Sequence, residues 1–284
     1  MAIRKILVPV DGSDAARVAL KTALIFCRAH GAHVEALHVK ISAADALPLI
    51  GEGMSGAFAE ELMELTQREA DARAAAARRL FEECRQELEV PQADAPVDRE
   101  ATTAFVEVVG REDEETAQRG RLADLIVVAR PSAGTDVTAD LTLNAALYET
   151  GRPVLVAPAE LRPVIGRRVA LAWNNSIESA RALAGAMPIL AAAEQVWVVT
   201  AGSGRDSEAS SRAAVIYLGY HGIHAESRVV LGPRNVGEAL AEGCADADLV
   251  VMGAYTHSRL RELILGGVTR FMLEESTLPL LMAH

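Results

Sequence analysis

Only three cysteines, Cys27, Cys84 and Cys244, occur in 284 residues. They are far apart and none lies in a CxxC or Cys/His metal spacing, which excludes a disulfide framework and a zinc site and leaves buried free thiols. No apolar run approaches the roughly 18 residues of a membrane span. The run in the opening MAIRKILVPVDGS is broken by Asp11 before it reaches signal-peptide length, so a soluble protein of the cytoplasm is expected, with no membrane partner. Positive charge is also in deficit. Lys and Arg number 28 against 39 Asp and Glu, a formal net charge of −11, which argues against nucleic acid as the main partner. Catalytic signatures are missing too: no GxGxxG follows either first strand, and there is no Walker A, HExxH or GxSxG. No nucleophile, base or metal constellation nominates a reaction, so the chain is not expected to be an enzyme.

What is present is a regular alternation of short apolar runs and helical periodicity. Residues 6–10 read as a buried parallel strand, the turn Asp11-Gly12-Ser13-Asp14 offers Ser13 or Asp14 as a cap, and a helix over 15–30 stops at Gly31. Residues 34–39 make a second strand. The glycine-rich, aperiodic stretch 41–57 reads as a loop leading into a long exposed helix over 60–89. A strand is expected at 97–102, a helix with a solvated acidic run at 104–120, a strand at 123–129, a helix at 141–149 and a strand at 153–157. After a linker at 160–166 the pattern begins again, with helices at 179–193, 208–220 and 235–244 between strands. Such alternation implies right-handed βαβ crossovers and a parallel sheet.

The repeat is visible in the letters. ILVPVDGS from Ile6 matches VALAWNNS from Val169, ADLIVVAR from Ala123 matches ADLVVMGA from Ala247, and RPVLVAPA from Arg152 matches LPLLMAH from Leu278. Ile6 and Ala123 stand 39 residues farther apart than Val169 and Ala247, and the loop and long helix after Val39 are the simplest place for the excess.

The second copy contains the most informative stretch, LVVMGAYTHSRLRELILGGVTRFML. An apolar strand ends at Gly253, a loop with local basic character follows, and Gly266-Gly267 opens a helix. In an open α/β sheet, ligands sit outside the carboxyl ends of the strands, and a glycine turn into a helix presents unpaired amides to an anion. The stretch resembles the nucleotide-binding signature of the universal stress protein family: glycine, two residues, glycine, nine residues, glycine, then Ser or Thr. Here the first glycine is Gly253, Thr256 takes the second position, nine residues run from His257 to Leu265, and Gly266 is the third. Gly267 takes the Ser/Thr position, with Thr269 two residues later. With the repeat, the whole chain resembles a tandem member of that family. The resemblance implies two open, mainly parallel five-stranded α/β sheets with helices on both faces, at 1–160 and 167–284, packed as a pseudo-dimer.

It also implies an adenine nucleotide, ATP or AMP, with Mg²⁺ accompanying ATP, held in the second half. Met252 and Gly253 would line adenine and ribose, and Gly266, Gly267, Val268 and Thr269 would surround the phosphates. Ala172, Trp173 and Asn174 end the first strand of that half; Asn174 replaces an acidic sugar ligand, and Trp173 reads either as a stacking wall or as an anchor between the halves. Thr256 adds a β-branched side chain where the family has glycine. Arg259 or Arg261 would neutralise phosphate, or pair with Glu262 in a solvated loop. In the first half Gly253, Thr256 and Gly266 align with Ala129, Ser132 and Thr142, so that site reads as degenerate and Asp11 as a turn and capping residue. Three functions stay open: a stress-response nucleotide binder, a nucleotide-free scaffold for a protein partner or self-association that uses the 60–89 helix, and a slow ATPase.

Overall fold

A computed structural model describes residues 2–41, 56–95, 97–131, 137–202, 204–230, 235–254 and 267–284. In chain order the elements are β1 (Lys5–Pro9), α1 (Asp14–His30), β2 (His33–Lys40), α2 (Gly56–Glu87), β3 (Thr102–Val109), α3 (Glu112–Gly120), β4 (Leu125–Val128), α4 (Val137–Glu149) and β5 (Val154–Val156). The pattern then repeats as β6 (Arg168–Ala172), α5 (Ile177–Leu190), β7 (Gln195–Ala201), α6 (Arg205–Tyr220), β8 (Ala225–Val230), α7 (Val236–Gly243), β9 (Leu249–Gly253), α8 (Gly267–Glu275) and β10 (Leu280–Ala283).

The two expected five-stranded sheets join edge to edge. The strand order is β3-β2-β1-β4-β5-β10-β9-β6-β7-β8, parallel within each half and antiparallel where β5 meets β10. Leu281 faces Leu155 at that seam, flanked by Met282 opposite Val154 and Leu280 opposite Val156. Equivalent residues thus meet across a local two-fold axis, the isologous geometry of a dimer made within one chain.

Strands with helices over both faces lose water on both sides, which is why LIVV in β4 and the Leu249–Met252 run of β9 are continuous apolar stretches, fully buried. One core lies between the sheet and α1, α2, α5 and α6; the other lies between the sheet and α4, α7 and α8. The repeated Ala-Asp pair serves the far end of the sheet. Asp124 accepts from the amides of Arg4 (2.9 Å) and Lys5 (3.0 Å), and Asp248 from Gly166 (2.7 Å) and Arg168 (2.9 Å), each fastening the start of its half's first strand.

Two expectations change. The segment expected as a strand at 97–102 and a helix from 104 is instead a strand from Thr102 to Val109 and a helix from Glu112. TTAFVEVV is rich in β-branched residues and pairs along its length with β2 alone, its other side having a single bridge from Gln92 to Thr103, so Glu107 and Val109 near its end are exposed. The long helix is also more than an exposed appendage. Ala70, Ala74, Ala77, Phe81 and Cys84 follow helical spacing and are buried, so α2 is the β2–β3 crossover, 32 residues long where its counterpart α6 has 16.

Candidate functional site

In each half the strand order reverses beside the first strand, at β1 between β2 and β4 and at β6 between β7 and β9. The loops there diverge and leave a crevice at the carboxyl ends. Both crevices are bounded by the same turn. After β1, Asp11 Oδ1 accepts from the Ser13 amide (2.9 Å), Gly12 takes φ +90°, and Ser13 Oγ accepts from Ala16 N (3.1 Å) to cap α1. After β6, Asn174 Oδ1 accepts from Ser176 N (3.2 Å), Asn175 takes φ +59°, and Ser176 and Ser179 form a reciprocal capping box at the start of α5. Asp11 is a turn residue, as expected, and Asn174 keeps that geometry without the charge.

The first-half crevice is small. It is lined by Asp11, Ser13, Glu112, Ala129, Arg130 and Thr142 among others, and the described residues enclose a volume of about 40 Å³. Thr142 Oγ1 donates to Glu112 Oε1 (2.8 Å) across it, and α2 passes over the turn, so that a Cβ on Gly12 would stand 3.0 Å from Ala76 Cβ and Ala77 N. That is room for water, well below the roughly 300 Å³ at which small-molecule pockets begin. Arg130 is largely withdrawn from solvent, and burial pulls its pKa down to about 10, which leaves it charged at neutral pH.

In the second half, β9 pairs with β6 and brings Met252 level with Ala172, while Gly253 follows at the strand end. The side chains of Met252 and Ala172 are buried in the core beneath α7 and α8. Trp173 is half-buried against the core on the opposite face, and its indole Nε1 donates to Ser210 Oγ of α6 (3.0 Å). That bond fastens Trp173 to its own half, which removes the reading of it as an anchor between halves.

Gly253 has a packing role that its sequence context did not disclose. A Cβ there would stand 2.6 Å from Ser179 N, 2.7 Å from Glu178 C and 2.8 Å from Glu178 Cβ, because the first turn of α5 rests on it. Gly267 differs: among the described residues nothing lies within 4 Å of its absent Cβ, and it opens α8 with Val268 half-buried and Thr269 buried behind it. As in any α-helix, the first amides of α8 have no acceptor within the helix. Thr256, Arg259 and Gly266, with the basic loop 257–261, lie outside the described residues. α4 and α8 end at Glu149 and Glu275, so helix register sets Thr142 against Val268, two positions from the alignment drawn by letters alone.

Sequence reasoning passed over Glu178, Ser179, Ser210 and Arg130. The Ser-x-x-Ser spacing at 176–179 was the available signal for the α5 cap. Arg130 had none, since its partners lie far along the chain. Among the described residues no group of three His, Cys, Asp or Glu side chains is placed to hold a metal, and no helix is long and apolar enough to cross a membrane.

Residues 2–136 match the family model described as the universal stress protein family. The first half of the chain is thus similar in sequence to the universal stress protein family. The match falls on the half with Ala129 in place of glycine, whereas the glycine signature lies in the other half. Among solved structures, a universal stress protein from Archaeoglobus fulgidus DSM 4304 is similar over 98% of this chain and 97% of its own, with a TM-score of 0.67 at 14% identity. A protein of unknown function from Pseudomonas aeruginosa PAO1 is similar over 99% of this chain and 92% of its own, with a TM-score of 0.58 at 18% identity. Both likenesses are of fold, and both run through the two halves. No curated protein sequence matches the chain.

Proposed function

We propose that this protein binds one adenine nucleotide, ATP or AMP, in its second half. The observation that carries the reading is the contrast between the crevices. α8 opens with a glycine whose side-chain position meets no described residue, while the first-half crevice holds about 40 Å³ and is walled by Arg130. The amides of Gly267, Val268 and Thr269 would receive the phosphates, with Gly266 before them and Arg259 supplying charge. Asn174 Oδ1 is engaged in its turn, but its Nδ2 is exposed and could donate to a ribose hydroxyl. Ala172, Trp173, Met252, Gly253 and Thr256 would bound the base and sugar, largely through backbone where their side chains are buried. Mg²⁺ would arrive with ATP, and the setting would be the cytoplasm.

A second reading, a nucleotide-free scaffold, is favoured by Gly253, whose lack of a side chain is accounted for by α5 without any ligand. One experiment separates the two. The purified protein is denatured and any released nucleotide identified by mass spectrometry; stripped protein is then titrated with ATP and with AMP by calorimetry. One site per chain, lost in Gly267→Val and kept in Thr142→Val, is expected. Absence of released nucleotide together with absence of binding heat would leave the scaffold.

A further inference from the structure

Arg130 belongs to the first half, yet most of its hydrogen bonds are made to the second. Nε donates to Ala157 O (3.1 Å), Nη1 to Met272 O (3.3 Å) and Leu273 O (2.8 Å), and Nη2 to Leu278 O (2.5 Å). Met272 and Leu273 lie in the last turn of α8, where carbonyls run out of helical partners and the helix dipole favours a cation; Met272 O still accepts from Ser276 N (3.3 Å). A guanidinium answers both needs at once, with a planar fork that fits several oxygens. No carboxylate partners it among the described residues; its charge is spent on carbonyls alone.

The arginine is not repeated at the equivalent position. The two-fold relation that sets Leu155 against Leu281 puts Ala254 in the place of Arg130, and alanine cannot grip α4 in return. The end of α4 is held from within its own half by Arg121 Nε, which donates to Glu149 O (3.0 Å), and by Thr150 Oγ1, which donates to Ala146 O (2.6 Å); from across the seam His284 meets it as a ring edge-on to Tyr148, with centroids 4.5 Å apart. The two equivalent helices are thus met across the seam by different groups, a ring at α4 and a guanidinium on the terminal carbonyls of α8, and α8 is the helix whose first residue is Gly267. At 1.5 Å per residue α8 is about 13 Å long, short enough for its two ends to move as one body.

We propose that Arg130 is a positioning residue: by fixing the C-terminal end of α8 it sets where the amides of Gly267–Thr269 stand, and so links the first-half crevice, whose wall it forms, to ligand affinity in the second half. The affinity part rests on the nucleotide reading above; the grip on α8 does not. Because coupling between sites is reciprocal, a nucleotide at the start of α8 tightens the same contact from the other end.

The test uses the full chain with Arg130→Gln, which removes the charge, and Arg130→Lys, which keeps charge and reach but loses the fork. Hydrogen exchange is read by mass spectrometry on peptides covering 267–280, with 141–150 as the internal control, first without nucleotide. Exchange in 267–280 is expected to rise about tenfold in Arg130→Gln and less in Arg130→Lys, with 141–150 unchanged, and ATP affinity to fall in the same order by a similar factor. Unchanged exchange in 267–280 overturns the grip. Faster exchange there with ATP affinity within twofold of the parent overturns the positioning role, as does faster exchange spread equally over 141–150, which marks general loosening. A parent protein that ignores ATP refutes the nucleotide reading and the affinity link together, and the exchange arm still decides the grip on its own. Should Arg130→Gln fail to fold, Arg130→Lys carries both readouts.

Discussion

Gly253 is the first glycine of the signature and Gly267 stands at its Ser/Thr position, yet alanine should act on them in opposite directions. At Gly253 the new Cβ would meet three atoms of α5 at 2.6, 2.7 and 2.8 Å. Two are backbone atoms, Ser179 N and Glu178 C, so no rotamer change relieves the contact and the first turn of α5 must move. Overpacking of this kind costs about 1–3 kcal/mol. The same turn carries the Ser176–Ser179 capping box, and losing a cap costs about 1 kcal/mol more. Gly253→Ala should therefore destabilise the fold by about 2–4 kcal/mol. At Gly267 no described atom lies within 4 Å of the new Cβ and φ is not positive, so alanine restricts the unfolded chain without strain in the folded one, a gain of about 0.4–1 kcal/mol. Urea unfolding followed by far-ultraviolet circular dichroism, with equal m-values required, gives both numbers. The Gly267 methyl would stand where a phosphate is proposed to approach, so that variant should gain stability while losing ATP affinity. If Gly253→Ala unfolds within about 0.5 kcal/mol of the parent, inside the ordinary range for surface changes, the packing account of this glycine is wrong.

Asp248→Ala orphans the amides of Gly166 and Arg168, and because Asp248 is buried it should cost about 3 kcal/mol in urea unfolding, against about 1–2 for Asp124→Ala, whose partners are nearer solvent. Burial alone would raise the Glu35 carboxyl, but Lys5 (2.8 Å) and Arg119 (3.2 Å) outweigh it and hold it below its ordinary value, so its contribution is present above about pH 4.3 and lost as pH falls through the lower folded value. Burial also depresses His30 and His33, so unfolding midpoints should already drop as pH falls below about 6.5, and Glu35→Gln should flatten only the more acidic part of the curve. Burial pushes Cys27 up to about 11 and Cys244 up to about 12, and raises Cys84, so a thiol reagent at pH 8 should leave the native protein unlabelled and modify all three after denaturation.

How much of this could be read from the letters depends on whether a residue's reason lies near it in the chain. β4 and β9 were legible because burial on both faces writes itself as an uninterrupted apolar run, and Ser13 with Gly31 bracketed α1 because caps are local chemistry. β3 was misread because an edge strand half-faces water, and its alternation of β-branched and acidic residues fits two periodicities. The identity of Gly253 was legible but its cause was not: the atoms that forbid a side chain there belong to Glu178 and Ser179, on a helix that meets β9 only once β6 has paired beside it. Arg130 was less legible still, a loop residue after a strand until the seam of Leu155 and Leu281 brings α8 within its reach. The letters showed that the chain repeats itself, and near-repetition invites the expectation that both copies work alike. The folded chain argues against that. Once two copies share one sheet, either can contribute a side chain to the other, and the contributions differ: Arg130 reaches the terminal carbonyls of α8, a contact for which Ala254 offers no counterpart, while His284 meets Tyr148 of α4 ring to ring.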